Sequence, residues 1–187
     1  TEPNKFKGET MNEEIFNKYK AMILNFKKYY TDLGFPVYEN PSPGNKEGGI
    51  TTLEEKSLGC ITKAGSSSIV GVLEYAEPLR DVGLNILNAP GNDLIASTAL
   101  AASGCQLIMF TTGRGTPFST VVPTLKIATN KTIAERKANW IDFCAFDMDD
   151  EALFDLVKKT ASGEYYTKQE DSHEIAFFKK GVTLWVI

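Results

Sequence analysis

The stretch from Leu84 to Ala128, LNILNAPGNDLIASTALAASGCQLIMFTTGRGTPFSTVVPTLKIA, decides the fold. Leu84–Leu87 is a short apolar run, and Leu94–Ser103 is alanine-rich and of helical length. Gln106–Phe110 and Thr124–Ala128 are two further apolar runs. Continuous apolar runs suit strands covered on both faces, and their alternation with a helix argues for parallel pairing. The same alternation continues outward. Thr132–Ala138 reads as a helix opened by a Thr132/Glu135 capping box, Trp140–Phe143 as a fourth strand, and Asp150–Thr160 as a helix with an acidic first turn. Ile175–Phe178 and Val182–Val186 read as a closing strand or hairpin.

Upstream, the pattern is helical. Met11, Ile15, Tyr19, Met22, Ile23, Phe26, Tyr30 and Leu33 recur at helical intervals behind a Thr10/Glu13 capping box, with Gly34 and Pro36 as stop signals. The spacing predicts a helix over 11–33. Residues 40–49, NPSPGNKEGG, are expected to hold no regular structure. Thr51/Glu54 or Thr52/Glu55 then opens a helix through Ala64, and 67–77 reads as another short helix ended by Pro78. The fold class is α/β: a largely parallel Rossmann-like sheet flanked by helices, with an amino-terminal helical segment. Residues 10–80 form the helical segment with its Gly/Pro loop, and 81–187 form the sheet core.

Composition narrows the function. The 187 residues are 42% hydrophobic and 24% charged, which is ordinary for a globular protein with a sizeable core. A net charge of -4 does not favour a nucleic-acid or membrane surface. The apolar runs are too short to span a bilayer. Cys60, Cys105 and Cys144 are widely spaced, so neither a disulfide scaffold nor a zinc knuckle is expected. The polar stretch Thr1–Gly8 does not read as a signal peptide, and the expected compartment is the cytoplasm.

Four loops carry the candidate chemistry. Asn40–Gly49 leads into a helix start, where inward-turned N–H groups favour an anion, and Asn45 and Lys46 add donors. Gly44 and Gly49 have the spacing of a Walker A loop, but Ile50 stands where its lysine belongs. A rigid turn is the plain alternative. Thr111–Pro117 follows a strand, at the edge where open α/β sheets bind ligands. Arg114, between Gly113 and Gly115, can present its planar fork to a carboxylate or phosphate, and a solvated surface arginine is the alternative. Asn88–Asp93 lies at the same expected edge, with Asn92 or Asp93 as a helix cap. The fourth loop is Thr129-Asn130. Its glycosylation sequon has no use in the cytoplasm, and Thr132 reads as a cap. All four loops are expected to converge on one edge of the sheet.

Weaker features have simpler readings. Asp147, Asp149, Asp150 and Glu151 suit an acidic first helical turn better than a metal site. His173 is the one histidine, which removes histidine metal clusters and Ser-His-Asp triads; it reads as structural. Cys60 and Cys105 read as small core residues.

Taken together, ENPSPGNKEGGITTLEEKSLG (Glu39–Gly59), KAG (Lys63–Gly65), APGND (Ala89–Asp93), FTTGRGTPF (Phe110–Phe118), PTLKIATN (Pro123–Asn130) and ASGE…EIAFFKKGVTL (Ala161–Leu184) resemble the altronate/galactarate dehydratase family, in its carboxy-terminal domain. The likeness runs from about the first helix to nearly the last residue; the trailing Trp185-Val186-Ile187 departs from it. The resemblance implies a hydro-lyase that converts a hexonate or hexarate, altronate before galactarate, to a 2-keto-3-deoxy acid. It implies a divalent metal, iron(II) or manganese(II), and no nicotinamide. Family members also carry an amino-terminal β domain and a preceding catalytic segment. The resemblance therefore makes those domains of the same enzyme partners of this chain, which alone is expected to fold with little activity. A homo-oligomer is allowed.

Such a dehydration needs a base at the carbon next to the carboxylate, an acid for the departing hydroxyl, a cation for the enediolate, and donors for a polyhydroxylated anion. On the matched stretches, Lys46, Glu55 and Lys56 are the catalytic candidates, with Glu54 beside them and Lys46 first as base. Ser42, Gly44, Asn45, Asn92, Thr112, Gly113, Arg114 and Asn130 are the substrate-binding candidates. Glu39 and Asn45 could reach a metal, but no ligand set follows. A non-catalytic sugar-acid-binding or regulatory domain is the alternative; a nucleotide-binding domain lacks the third glycine after Gly113-Arg-Gly115.

Overall fold

The structure, a computed structural model, describes residues 12–35, 41, 43–47, 49–146, 149–169, 171 and 173–179. The chain divides into two compact units. The first comprises Thr1–Leu73 with Arg80–Asn88, and the second comprises Glu74–Leu79 with Ala89–Ile187.

In the first unit, helix α1 spans Glu13–Asp32. Its start is set by Asn12, whose side-chain oxygen accepts from the Ile15 N–H at 2.9 Å. Asparagine satisfies an otherwise orphaned donor of the first turn. The expected cap, Thr10, lies outside the described residues. Strand β1, Ile69–Leu73, pairs in parallel with β2, Leu84–Leu87, with Ile69 opposite Leu84 and Leu73 opposite Leu87. The helical face Ile15, Tyr19, Met22 and Ile23 packs with Ile69, Val72, Leu84 and Ile86 as one apolar core. The expectation of a helix over 67–77 was wrong. Ile69, Val70 and Val72 are β-branched, and a strand here buries Ile69 and Leu73 on one face. Gly71 lets Asn85 approach closely, since a Cβ there would stand 2.1 Å from the Asn85 side-chain oxygen and displace that side chain.

Two short helices complete this unit. Residues 40–49 were expected to be irregular, yet Pro43–Glu47 forms helix α2. Proline at a first helical position costs nothing, because its φ is already helical and its missing N–H would be unpaired. Helix α3 spans Leu53–Lys63. Between the two expected capping boxes the structure uses Thr52/Glu55. The Glu55 N–H donates to Thr52 Oγ1 at 3.1 Å, and the Thr52 N–H donates back to Glu55 Oε2 at 3.1 Å.

In the second unit, β3 (Ile108–Thr112), β4 (Thr124–Ala128) and β5 (Phe143–Cys144) form a parallel sheet in that order. The α/β reading therefore holds, with the parallel strands in two small sheets. Every residue of the central strand β4 is buried, as a parallel strand covered on both faces requires. Helices α4 (Asp93–Ala102), α5 (Lys131–Arg136) and α6 (Asp150–Ala161) begin at the side chains of Asn92, Asn130 and Asp149. The expected cap Thr132 is instead inside α5, because Asn130 already takes the Ile133 N–H at 2.9 Å. Strand β3 starts two residues later than expected, since Gly104 and Cys105 still donate to the last turn of α4. Trp140 and Ile141 likewise finish the turn after α5, which leaves only Phe143–Cys144 in β5. No strand forms at 175–178. A single bridge from Ser119 to His173 anchors that segment, and Ala176 donates to Thr98 Oγ1 at 3.2 Å. Residues 182–186 lie outside the described residues. No helix among the described residues is long and apolar enough to cross a membrane.

Candidate functional site

The carboxyl ends of β3 and β4 lie side by side, with Thr112 opposite Ala128. The loops leaving them are tied together. The Thr129 N–H donates to the Thr112 carbonyl at 3.0 Å, and Asn130 Nδ2 donates to the Gly113 carbonyl at 3.1 Å. The Thr112 hydroxyl oxygen accepts from the Gly115 N–H at 2.8 Å and the Arg114 N–H at 3.3 Å. Lys137 Nζ donates to the Gly115 carbonyl at 3.3 Å and stands 4.7 Å from the Trp140 ring centre. Gly115 has φ +77°, and a Cβ on it would lie 2.7 Å from Lys137 Cδ. Glycine is thus required there by both backbone and space.

Four candidates from the sequence, Thr112, Gly113, Arg114 and Asn130, therefore share one corner of the sheet. Arg114 is exposed. Among the described residues its guanidinium makes no hydrogen bond or ion pair, while its backbone N–H is held by Thr112. The loop is braced by its neighbours and not by the arginine. Asn92 lies at the start of α4, where its side-chain oxygen accepts from the Ile95 N–H at 3.2 Å.

The other candidates belong to the first unit. Gly44, Asn45 and Lys46 lie on α2, and Lys46 is exposed. Lys56 Nζ donates to Asn45 Oδ1 at 3.0 Å. Glu55 Oε2 accepts from the Thr51 N–H at 2.7 Å and the Thr51 hydroxyl at 2.9 Å in addition to its bond from Thr52. The Thr51 backbone bond chiefly, with the Thr51 hydroxyl and Thr52 N–H, holds the Glu55 carboxyl below its ordinary 4.5. Ser42 and Glu39 lie outside the described residues, so the metal role weighed for Glu39 does too.

Lys126 was missed in the sequence. It sits in the middle of β4 with no exposed surface. Its ammonium donates to the Phe118 carbonyl and stands 4.8 Å from the Phe118 ring centre. Burial pushes its pKa below the ordinary 10.5, against the attraction of Asp142 and Glu174. Asp142 is a hub: Oδ2 accepts from the Lys126 N–H at 2.7 Å, and Oδ1 accepts from Tyr165 Oη and the Lys168 N–H, each at 2.9 Å. Burial, then Asp142, raises the Tyr165 phenol. A lysine within an otherwise apolar strand is a readable signal, because a buried ammonium demands partners.

The weaker candidates resolve simply. Asp149 caps α6 by accepting from Ala152 at 2.9 Å, and Asp150 and Glu151 form its first turn. Asp147 lies outside the described residues. His173 Nδ1 is 3.0 Å from the Thr120 carbonyl oxygen, a structural contact. Cys60 is exposed and not in a core, while Cys105 is half-buried and burial raises its thiol pKa. Among the described residues, no group of three His, Cys, Asp or Glu side chains could hold a metal ion. Those residues do not by themselves fit the divalent metal that the resemblance implies.

The family model described as D-galactarate/Altronate dehydratase, C-terminal, matches residues 6–183. The chain belongs to this dehydratase family, as its carboxy-terminal domain. Among curated relatives, the chain is similar to altronate dehydratase of Bacillus subtilis (strain 168), at 50% identity over 97% of this chain and 40% of the relative. It is similar to altronate dehydratase of Escherichia coli (strain K12), at 50% identity over 92% of this chain and 37% of the relative. It is also similar to galactarate dehydratase (L-threo-forming) of the same organism, at 44% identity over 71% of this chain and 25% of the relative. The chain thus spans 40% or less of the length of these dehydratases.

Proposed function

We propose that this domain is the part of a sugar-acid hydro-lyase that grips the substrate's carboxylate. In this reading the enzyme dehydrates a hexonate or hexarate, altronate first and galactarate next, to a 2-keto-3-deoxy acid. One observation carries the reading. Arg114 stands at the carboxyl edge of a parallel sheet on a loop braced by Thr112, Asn130 and Lys137, with its own guanidinium uncommitted among the described residues. A planar cation so placed suits a bidentate carboxylate. The names of the relatives supply the substrate class.

The residues then divide the work. Arg114 holds the carboxylate, which also disperses charge that grows on it as the neighbouring proton leaves. The Thr112 hydroxyl accepts two backbone N–H groups and keeps its own proton to donate to a substrate hydroxyl. Asn45 and Lys56 support the Gly/Pro segment, and Glu55 acts as a helix cap, so Lys46 remains first choice as base. An exposed lysine needs burial or a neighbouring cation to become a base near neutral pH, so in this reading another part of the enzyme covers Lys46. The iron(II) or manganese(II) of the resemblance would take its ligands from outside the described residues. The test is to assay a full-length dehydratase carrying this domain against a panel of hexonates and hexarates, with each metal. Formation of a 2-keto-3-deoxy acid, fastest from altronate, is expected. Failure with every sugar acid, with the protein folded and metal-loaded, refutes the reading.

A further inference from the structure

The loop between β3 and β4 has its carbonyls pulled to one side. Gly113 O accepts from Asn130, Gly115 O from Lys137 and Phe118 O from Lys126. All three donors come from the single segment β4–α5, within residues 126–137. The peptide joining Gly113 to Arg114 is held at both ends, its carbonyl by Asn130 and its N–H by Thr112. The next peptide N–H, that of Gly115, is held by Thr112 as well. The backbone on either side of Arg114 is therefore fixed. The Lys137 stem lies directly on Gly115, and the Phe118 ring is wedged between Lys126 and Phe110, 5.2 Å from the latter.

We propose that Lys126 and Lys137 are positioning residues that aim Arg114, acting through the carbonyls of Phe118 and Gly115. This rests on the reading that Arg114 touches the substrate. A buried lysine is a costly way to fill a sheet core, and an apolar side chain of similar length would pack there without desolvating a charge. Lys126 instead brings a donor to a carbonyl that, among the described residues, no backbone N–H serves. Asp142 and Glu174 supply the compensating charge, with Tyr165 and Lys168 bound to Asp142 and His173 beside Glu174 in sequence. Lys137, half-buried against Trp140, does the same at the other end of the loop. A cation on a pre-set loop spends less ordering entropy when it binds.

The test is a kinetic cycle in a full-length dehydratase carrying this domain. Lys137→Met and Lys126→Met are each combined with Arg114→Ala. Lys137→Met alone is expected to raise KM about tenfold, with a smaller change in kcat and an unchanged melting temperature. In the Arg114→Ala background the same substitution is expected to change KM by less than about twofold, because nothing is left to aim. Lys137→Arg, which keeps a donor, is expected to recover part of the loss. If Lys126→Met does not fold, the Lys137 cycle carries the test alone. A wild-type KM in Lys137→Met, or the same fold-loss with and without Arg114, overturns the positioning role. If Arg114→Ala itself has wild-type kinetics, the carboxylate reading fails first, and the two failures are thus distinguished.

Discussion

The Thr112–Phe118 loop and the Pro43–Lys63 segment look alike in sequence, for both place a cation among glycines near a helix or strand end. Their structures differ in where the polar groups are spent. In Pro43–Lys63 two charged groups serve their own neighbourhood: Glu55 closes the start of α3 over Thr51 and Thr52, and Lys56 binds Asn45, while Lys46 is exposed. In Thr112–Phe118 the Thr112 hydroxyl takes two of the loop's N–H groups, the rest of the bracing comes from Lys126, Asn130 and Lys137, and among the described residues the Arg114 guanidinium is left over. In the proposed reading, a glycine-rich loop is free to bind because other side chains do its structural work. Where charges such as Glu55 and Lys56 cap and brace, those charges are architecture.

The contrast is broken or sharpened first by stability. Lys126→Ala opens a void in the core of β4 and strands the Phe118 carbonyl, and it is expected to cost about 3 kcal/mol in urea unfolding. Lys56→Ala removes a half-exposed bond to a neutral amide without opening the core, and is expected to cost less, about 1 kcal/mol. Equal costs for the two lysines would erase the distinction between the regions.

A smaller effect lies in pH. Burial lowers the Lys126 pKa, so the unfolded chain holds this proton more tightly than the folded one. Between the lowered value and the ordinary 10.5, the unfolded state binds more protons, and stability rises with pH. The penalty is complete below the folded value and fades as pH rises through the window. Relative to Lys126→Met, the wild-type chain should therefore gain stability as pH rises towards the ordinary 10.5. A flat or falling difference in paired unfolding curves would mean that the ammonium is not disfavoured by burial.

Much of this was legible in the sequence, and the failures have physical causes. Leu84–Leu87 and Thr124–Ala128 were bounded correctly, because apolar runs between turn residues leave few alternatives. Ile69–Leu73 was misread as helix because a five-residue apolar run with a central glycine has no distinctive period. Pro43–Glu47 was misread as irregular because proline and glycine were counted as breakers without regard to position, and proline opens a helix well. At the corner of the sheet, Thr112, Gly113, Arg114 and Asn130 were all named, because the carboxyl-edge rule needs only the strand ends. Lys137 was missed because its partner is a backbone carbonyl, which leaves no mark on the sequence, and Lys126 because its charge was passed over within an otherwise apolar strand.

The most direct test of the account is the kinetics of Arg114→Lys beside Arg114→Ala in a full-length dehydratase carrying this domain. Truncating a bound charge at a site costs about 2–5 kcal/mol, so Arg114→Ala should lose at least about thirtyfold in kcat/KM. Arg114→Lys keeps the charge without the planar fork and should also be impaired, with both melting temperatures unchanged because the loop is braced elsewhere. Wild-type kcat and KM in Arg114→Lys would contradict the carboxylate grip, and lost activity together with a lower melting temperature would make Arg114 a brace.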